Sequence, residues 1–253
     1  MSNPILTDTV WGRMAKEEDA ARGDVMTVNG AVDKTVILTV VLLGAVTGMW
    51  LKFWHGGSPV LGEFLWWGVG GMVVALLAVL VSMFAPRIAM WTGLVYAVAE
   101  GIFLGALTMV VQGLAPGMPL IAACLTSACL LGMLLLYRTG VIKATPAFTR
   151  GVMIATAGLF LGTAVLFLLG MFGVGGGITG ALYGNGWIGI GFSVLCIGLA
   201  ALNLVIDFHF IEEGANQQLP KHMEWVAGFA LLTTLVWLYI EILRLLMKLK
   251  SED

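Results

Sequence analysis

From Gly151 to Ile206 the chain reads GVMIATAGLFLGTAVLFLLGMFGVGGGITGALYGNGWIGIGFSVLCIGLAALNLVI, with no Asp, Glu, Lys or Arg anywhere in it. A membrane-spanning helix needs roughly 20 mostly apolar residues, so this run is too long for one crossing and long enough for two. Its glycine-rich middle, Gly173 to Gly186, contains the turn signal Asn185-Gly186 and divides it. The stretch is therefore read as a fifth and a sixth membrane helix, the sixth ending near Asp207.

Outward from this stretch the same criterion finds five more spans. Thr35 to Trp54 is the first, Phe64 to Pro86 the second, and about Ile88 to Gln112 the third, with Glu100 near its middle. The turn Ala115-Pro116-Gly117-Met118-Pro119 leads into the fourth, Pro119 to Tyr137, and a basic stretch follows from Arg138 to Arg150. After a polar segment from Phe208 to Glu224, Trp225 to about Lys248 makes the seventh. Composition agrees: of 253 residues 59% are hydrophobic and 11% charged, where soluble domains are about 45–50% apolar and about 25% charged. A soluble globule is excluded. So is a nucleic-acid binder, because 13 Lys+Arg against 15 Asp+Glu leave a net charge of -2 and no basic stripe to neutralise phosphates. The expected fold is an all-α membrane protein, a seven-transmembrane helix bundle.

The first 34 residues hold ten charges and no apolar core of a signal peptide. They are read as an N-terminal arm, residues 1–34, before a seven-helix domain over residues 35–250. An inside amino terminus puts nine Lys and Arg, among them Arg87, Arg138 and Lys221, on the cytoplasmic side against Lys52, Arg244, Lys248 and Lys250 outside. The basic cluster on the last helix is the awkward part, and a last segment that does not fully cross would bring it inside. Gly101 and Gly105 form a small-xxx-small pair on the third span, and Gly186, Gly189, Gly191 and Gly198 lie along the sixth, both patterns suited to close helix approach. Cys124, Cys129 and Cys196 lie in apolar runs without ligand spacing and read as buried thiols.

A charge at a helix centre costs about 2.5–3.5 kcal/mol on insertion scales, so Glu100, Asp207 and Glu241 require a reason. Asn203 precedes Asp207 by four positions, which puts its amide on the same helix face. That face offers several oxygens to a hard cation such as calcium. Plainer readings stand beside each: Asp207 as the membrane boundary, Glu241 paired with Arg244 at i+3, Glu100 as a packing hydrogen-bonder, Arg87 as an ordinary cytoplasmic-side cation. His209 and Glu213 are four apart, but no second histidine is suitably placed, so a solvated acidic loop is the better reading and no structural metal or cofactor is expected.

Four segments together carry a resemblance: Met26-Thr27-Val28-Asn29-Gly30-Ala31-Val32-Asp33-Lys34-Thr35, Tyr96 to Gly105 (YAVAEGIFLG), Ala201 to Glu212 (ALNLVIDFHFIE) and Leu238 to Leu246 (LYIEILRLL). In this order within a seven-span pattern the chain resembles the bacterial, YccA-like branch of the Bax inhibitor family, the transmembrane BAX inhibitor motif proteins. The resemblance implies six helices around a central last one and a pH-sensitive calcium leak across the bacterial inner membrane. It implies that Asp207 and Glu241 are the pH sensor, with calcium passing transiently there, and that Arg87 latches the pair, while Asn203 and Glu100 become pathway or support residues. The seventh-helix acid is Glu rather than the more familiar Asp, the interval between the acids is longer than in better-known bacterial relatives, and His209 stands where an acid is expected. If the seventh helix enters the membrane at Trp225, Glu241 lies about 24 Å along it at 1.5 Å per residue. The acids then meet only if that helix starts below the bilayer or the sixth stops deeper.

Calcium ions, protons and the lipid bilayer are thus the expected partners. Two rival readings are a non-conducting scaffold acting on a membrane protease or stress complex, and a proton-coupled transporter. No Ser-His-Asp set, two-histidine metal motif or phosphate-cradling loop falls in register, so an enzyme is not expected.

Overall fold

The computed structural model describes residues 25–55, 58–59, 62–173 and 176–250. Among these the chain forms α1 (Val28–Phe53), a two-residue antiparallel pair of β1 (Trp54–His55) with β2 (Ser58–Pro59), α2 (Glu63–Phe84), a 3-10 turn (Pro86–Ile88) and α3 (Ala89–Leu114). Then come α4 (Met118–Arg138), α5 (Pro146–Met171), the short α6 (Gly176–Tyr183), α7 (Trp187–Asn216) and α8 (Met223–Lys250). All but α6 are long and apolar enough to cross a membrane, which makes seven candidate spans among the described residues. Their exposed faces carry large apolar side chains such as Val40, Leu120, Ile154 and Phe167. Such faces are at home against lipid rather than water.

The helix ends follow local chemistry. Thr27 caps α1, its Oγ1 accepting from Gly30 N at 2.9 Å, and Thr145 caps α5 in the same way ahead of Pro146. The expected turn before α4 is built on Gly117, at φ 85°, with Gln112 Oε1 accepting from its N–H at 2.9 Å.

Three boundaries differ from expectation. The cap at Thr27 starts α1 seven residues before Thr35, so Val28 to Lys34 of the expected arm is helical, while residues 1–24 of that arm lie outside the described residues. The glycine-rich break holds α6 rather than only a loop. Most consequentially, α7 runs nine residues past Asp207, because buried Phe208 and Ile211 continue an apolar stripe through the polar residues beside them.

The chain divides into two compact units. The first comprises the chain up to Ala106 together with His209–Leu232. On α3, Cβ atoms at Gly101 and Gly105 would meet Ala45 and Met49 of α1 at 2.7 Å each, and on α2 one at Gly68 would meet Ala106 of α3 at 2.7 Å. The Gly101/Gly105 pair therefore does what its spacing predicts: α1 and α3 touch backbone to backbone. The start of α8 packs into the same unit, Phe229 lying 4.8 Å from the Tyr96 ring and Gly228 fitting against Lys34 and Thr35.

The second unit comprises Leu107–Phe208 and Thr233–Asp253. Here α8 is the shared element. Tyr239 Oη donates to Pro119 O of α4 at 3.4 Å, and the Trp237 ring lies tilted against that of Phe160 of α5, 5.1 Å between centres. Lys248 reaches both α6 and α7. Of the small residues expected to line the sixth span, Gly189 alone packs closely, against Gly184 O, whereas Gly186, Gly191 and Gly198 face open space. Spacing on one helix does not say which of its faces has a neighbour.

The loop after α7 closes with the N–H of Leu219 donating to Gly214 O at 3.0 Å, the i-to-i−5 bond of a Schellman ending. Gln218 supplies its left-handed residue, at φ 52°. A side chain there is strained by roughly 1 kcal/mol, so Gln218→Gly is expected to stabilise the protein by about 0.5–1 kcal/mol. Thermal melting of the two proteins in mild detergent measures it.

Candidate functional site

In the second unit, Asp207 sits inside α7 rather than at its end. Its carboxyl group has the Thr234 side chain of α8 as hydrogen-bond partner, while Oδ2 is fully buried without any partner among the described residues. One turn earlier, Asn203 Nδ2 donates to Thr156 Oγ1 of α5 and to Leu199 O, both at 2.8 Å. Asn203 thus ties α7 to α5 on the face that carries Asp207.

Glu241 lies deeper along α8. Its two oxygens accept from Arg244 Nη1 at 3.0 Å each, an i,i+3 ion pair, and the Arg244 guanidinium lies 5.6 Å from the Tyr183 ring of α6. One turn further, the buried Lys248 ammonium donates to Leu182 O at 3.1 Å, Gly189 O at 2.8 Å and Ser193 Oγ at 2.9 Å. Glu241, Arg244 and Lys248 form a charged ladder on one face of α8, and it grips the break between α6 and α7.

Two contacts set the antiparallel register of α7 on α8: Asp207 with Thr234 and Ser193 with Lys248. Fourteen residues down one helix match fourteen up the other. Glu241, seven residues beyond Thr234, is therefore level with Ala200, about 10 Å along the axis from Asp207 at 1.5 Å per residue. The two acids take different partners at different levels. The longer interval is absorbed because α7 continues past Asp207 and α8 starts at Met223, so both helices run on together before the first acid is reached.

The first unit holds the other two expected site residues. Glu100 is buried in α3, 8% exposed, on the stripe with Gly93 and Tyr96 that faces Phe229. Arg87 is exposed on the 3-10 turn and lines a cleft with Lys34, Trp91, Lys221, His222 and Trp225. Glu213 accepts from Gln217 Nε2 at 2.6 Å, and no group of three metal-capable side chains occurs among the described residues.

Glu224 is a residue that the sequence reading passed over. It is 2% exposed, and its Oε1 accepts from both the N–H and the Oγ1 of Thr27 at 3.1 Å. Beside it the Met26 N–H donates to Leu219 O at 2.7 Å, and Val25 bridges to Pro220. The only sequence signal was an acid in the first turn of a helix, where it looks like an ordinary dipole partner. Lys248 was missed differently: a lysine near a span end reads as an interfacial anchor, and only the α6 break supplies the oxygens that bury it.

Residues 3–251 match the family model described as Bax inhibitor 1 like. The chain belongs to the Bax inhibitor 1 like family. No curated protein and no solved structure matches it. Family membership and seven apolar helices make this Bax inhibitor 1 like chain a multi-pass integral membrane protein. Of the segments that carried the resemblance, Met26 to Thr35 forms the Bax inhibitor 1 like chain's tie to Glu224, Tyr96 to Gly105 its α1-facing helix, and the last two its facing α7 and α8.

Proposed function

We propose that this protein is a pH-sensitive leak pathway for calcium ions in a bacterial inner membrane, with its amino terminus in the cytoplasm. The observation that supports this reading best is Asp207: a carboxyl group in the interior of a membrane helix, with one buried oxygen lacking a partner among the described residues. Ionisable groups at membrane depth mark ion or proton paths. Glu241 differs, since Arg244 neutralises it in place. In this reading Asp207 changes protonation, Asn203 holds α7 against α5 beside it, and the Glu241–Arg244 pair fixes the far end of α8 while the helices separate. Arg87 and Glu100 act from the first unit, as a cation near the membrane surface and as a buried acid on α3. A change of charge at Asp207 alters whether α7 and α8 stay closed over it, and opening exposes its oxygens to a cation.

The test is calcium flux from liposomes holding the purified protein, followed against pH. Wild-type flux is expected to vary across the acid-to-neutral range. Asp207→Asn is expected to flatten that profile, and Asp207→Glu to keep it. An unchanged profile in Asp207→Asn removes the sensor role, and a wild type that passes no calcium at any pH favours the scaffold reading. Uptake that depends on an added solute favours a proton-coupled transporter.

A further inference from the structure

In the first unit, a cleft of about 320 Å³ opens beside Arg87 on the 3-10 turn, Lys34 in the second turn of α1, and Lys221 and His222 from the loop before α8, with Trp91 and Trp225 on its walls. Lys34 Nζ lies 5.2 Å from the Trp225 ring centre. Among the described residues Glu224 is the one acid on the wall, and it has turned one oxygen to Thr27, so three full positive charges face one negative. Among the described residues none of Lys34, Arg87 and Lys221 takes part in an ion pair. The basic side is continuous with an apolar one: Ile88 and Met90 are exposed, and Trp91 is 65% exposed. Arg87 and Trp91 lie at the start of a membrane-spanning helix, where headgroups meet acyl chains.

We infer that this cleft binds the phosphate of an anionic phospholipid, with Arg87, Lys34 and Lys221 around the headgroup and Met90 and Trp91 against the first methylenes of its chains. A free phosphate matches only the charged half of the site. An amphiphile matches both, and a basic pocket between membrane helices is where anionic headgroups are held. Arginine suits the diester phosphate, because its planar fork offers two parallel N–H donors. The inference is independent of ion conduction.

The test is native mass spectrometry of the full chain released from detergent with either phosphatidylglycerol or phosphatidylcholine of the same acyl chains, and separately with inorganic phosphate. Wild type is expected to retain one phosphatidylglycerol per chain and neither of the other probes. Each basic residue at a membrane surface is worth about a factor of five, so the double variant Arg87→Gln/Lys221→Gln is expected to weaken retention about 30-fold. Both side chains are exposed, and an unchanged melting temperature checks that the variant is folded. Trp91→Ala, which alters no charge, is expected to weaken retention several-fold. Arg138→Gln/Lys143→Gln removes two equally exposed cations outside the cleft and is expected to change nothing. Equal loss from both double variants, equal retention of phosphatidylcholine, or displacement of the lipid by inorganic phosphate would each overturn the site.

Discussion

Lys248→Met is expected to lower stability by about 3–5 kcal/mol, the scale of removing one partner from a buried charged network. Lys248 is 3% exposed, and its three N–H donors meet Leu182 O, Gly189 O and Ser193 Oγ at 2.8 to 3.1 Å. Leu182 O lies in the last turn of α6, where a carbonyl has no helical N–H to accept from. Methionine fills a similar volume and takes the donor from Leu182 O and Ser193 Oγ, while Gly189 O keeps its place in the first turn of α7. Each buried group left without a partner costs about 1–3 kcal/mol. Lys250→Met is the control: Lys250 is exposed and, among the described residues, donates only to Leu114 O at 3.3 Å, so its loss should stay within about 0.5 kcal/mol. Melting in detergent, or resistance to unfolding by added dodecyl sulfate, reads both. A Lys248→Met protein as stable as wild type would show that the ammonium is not held in the α6–α7 break.

Gly30→Ala is the second large effect, at about 2–3 kcal/mol. A Cβ at Gly30 would collide with the carboxylate of Glu224. A carboxylate on an exposed stem would swing aside, but this one is buried and holds both the N–H and the hydroxyl of Thr27. Moving it breaks two charge-assisted hydrogen bonds. Glu224→Ala removes the obstacle along with the bonds, so the alanine at position 30 should cost almost nothing more in that background. The double-mutant cycle is therefore expected to show a coupling of about 2 kcal/mol. Additive losses would mean that Gly30 is required for some reason other than Glu224.

The seven spans could be read from the sequence because the bilayer imposes one length and one composition on every crossing. The uncharged run from Gly151 to Ile206 exposes that constraint without ambiguity. The same uniformity hid the rest. Where every face is apolar, hydrophobic period does not distinguish a lipid-facing side from a packed one, which is why Gly191 and Gly198 looked like Gly101 and Gly105. The charged residues were easy to list and hard to pair. Glu241 met Arg244, as its i+3 spacing allowed. The levels of Asp207 and Glu241 depend on the register of α7 on α8, set by Lys248 and Thr234, and neither residue was marked by spacing. The Glu224 knot spans nearly two hundred residues of chain and leaves no local trace.

The division of the chain has a consequence for how the protein is made. The first unit draws on residues up to Ala106 and again on His209–Leu232, and the second takes Thr233 onward after Leu107–Phe208. Both wait for the last helix. As the ribosome delivers the spans one by one, the Thr27 cap has no Glu224 to receive it and the α6–α7 break has no Lys248 to fill it until α8 itself has been made. Nascent chains stalled before Met223 should remain open to quality-control proteases in both units, and release of α8 should protect the two together.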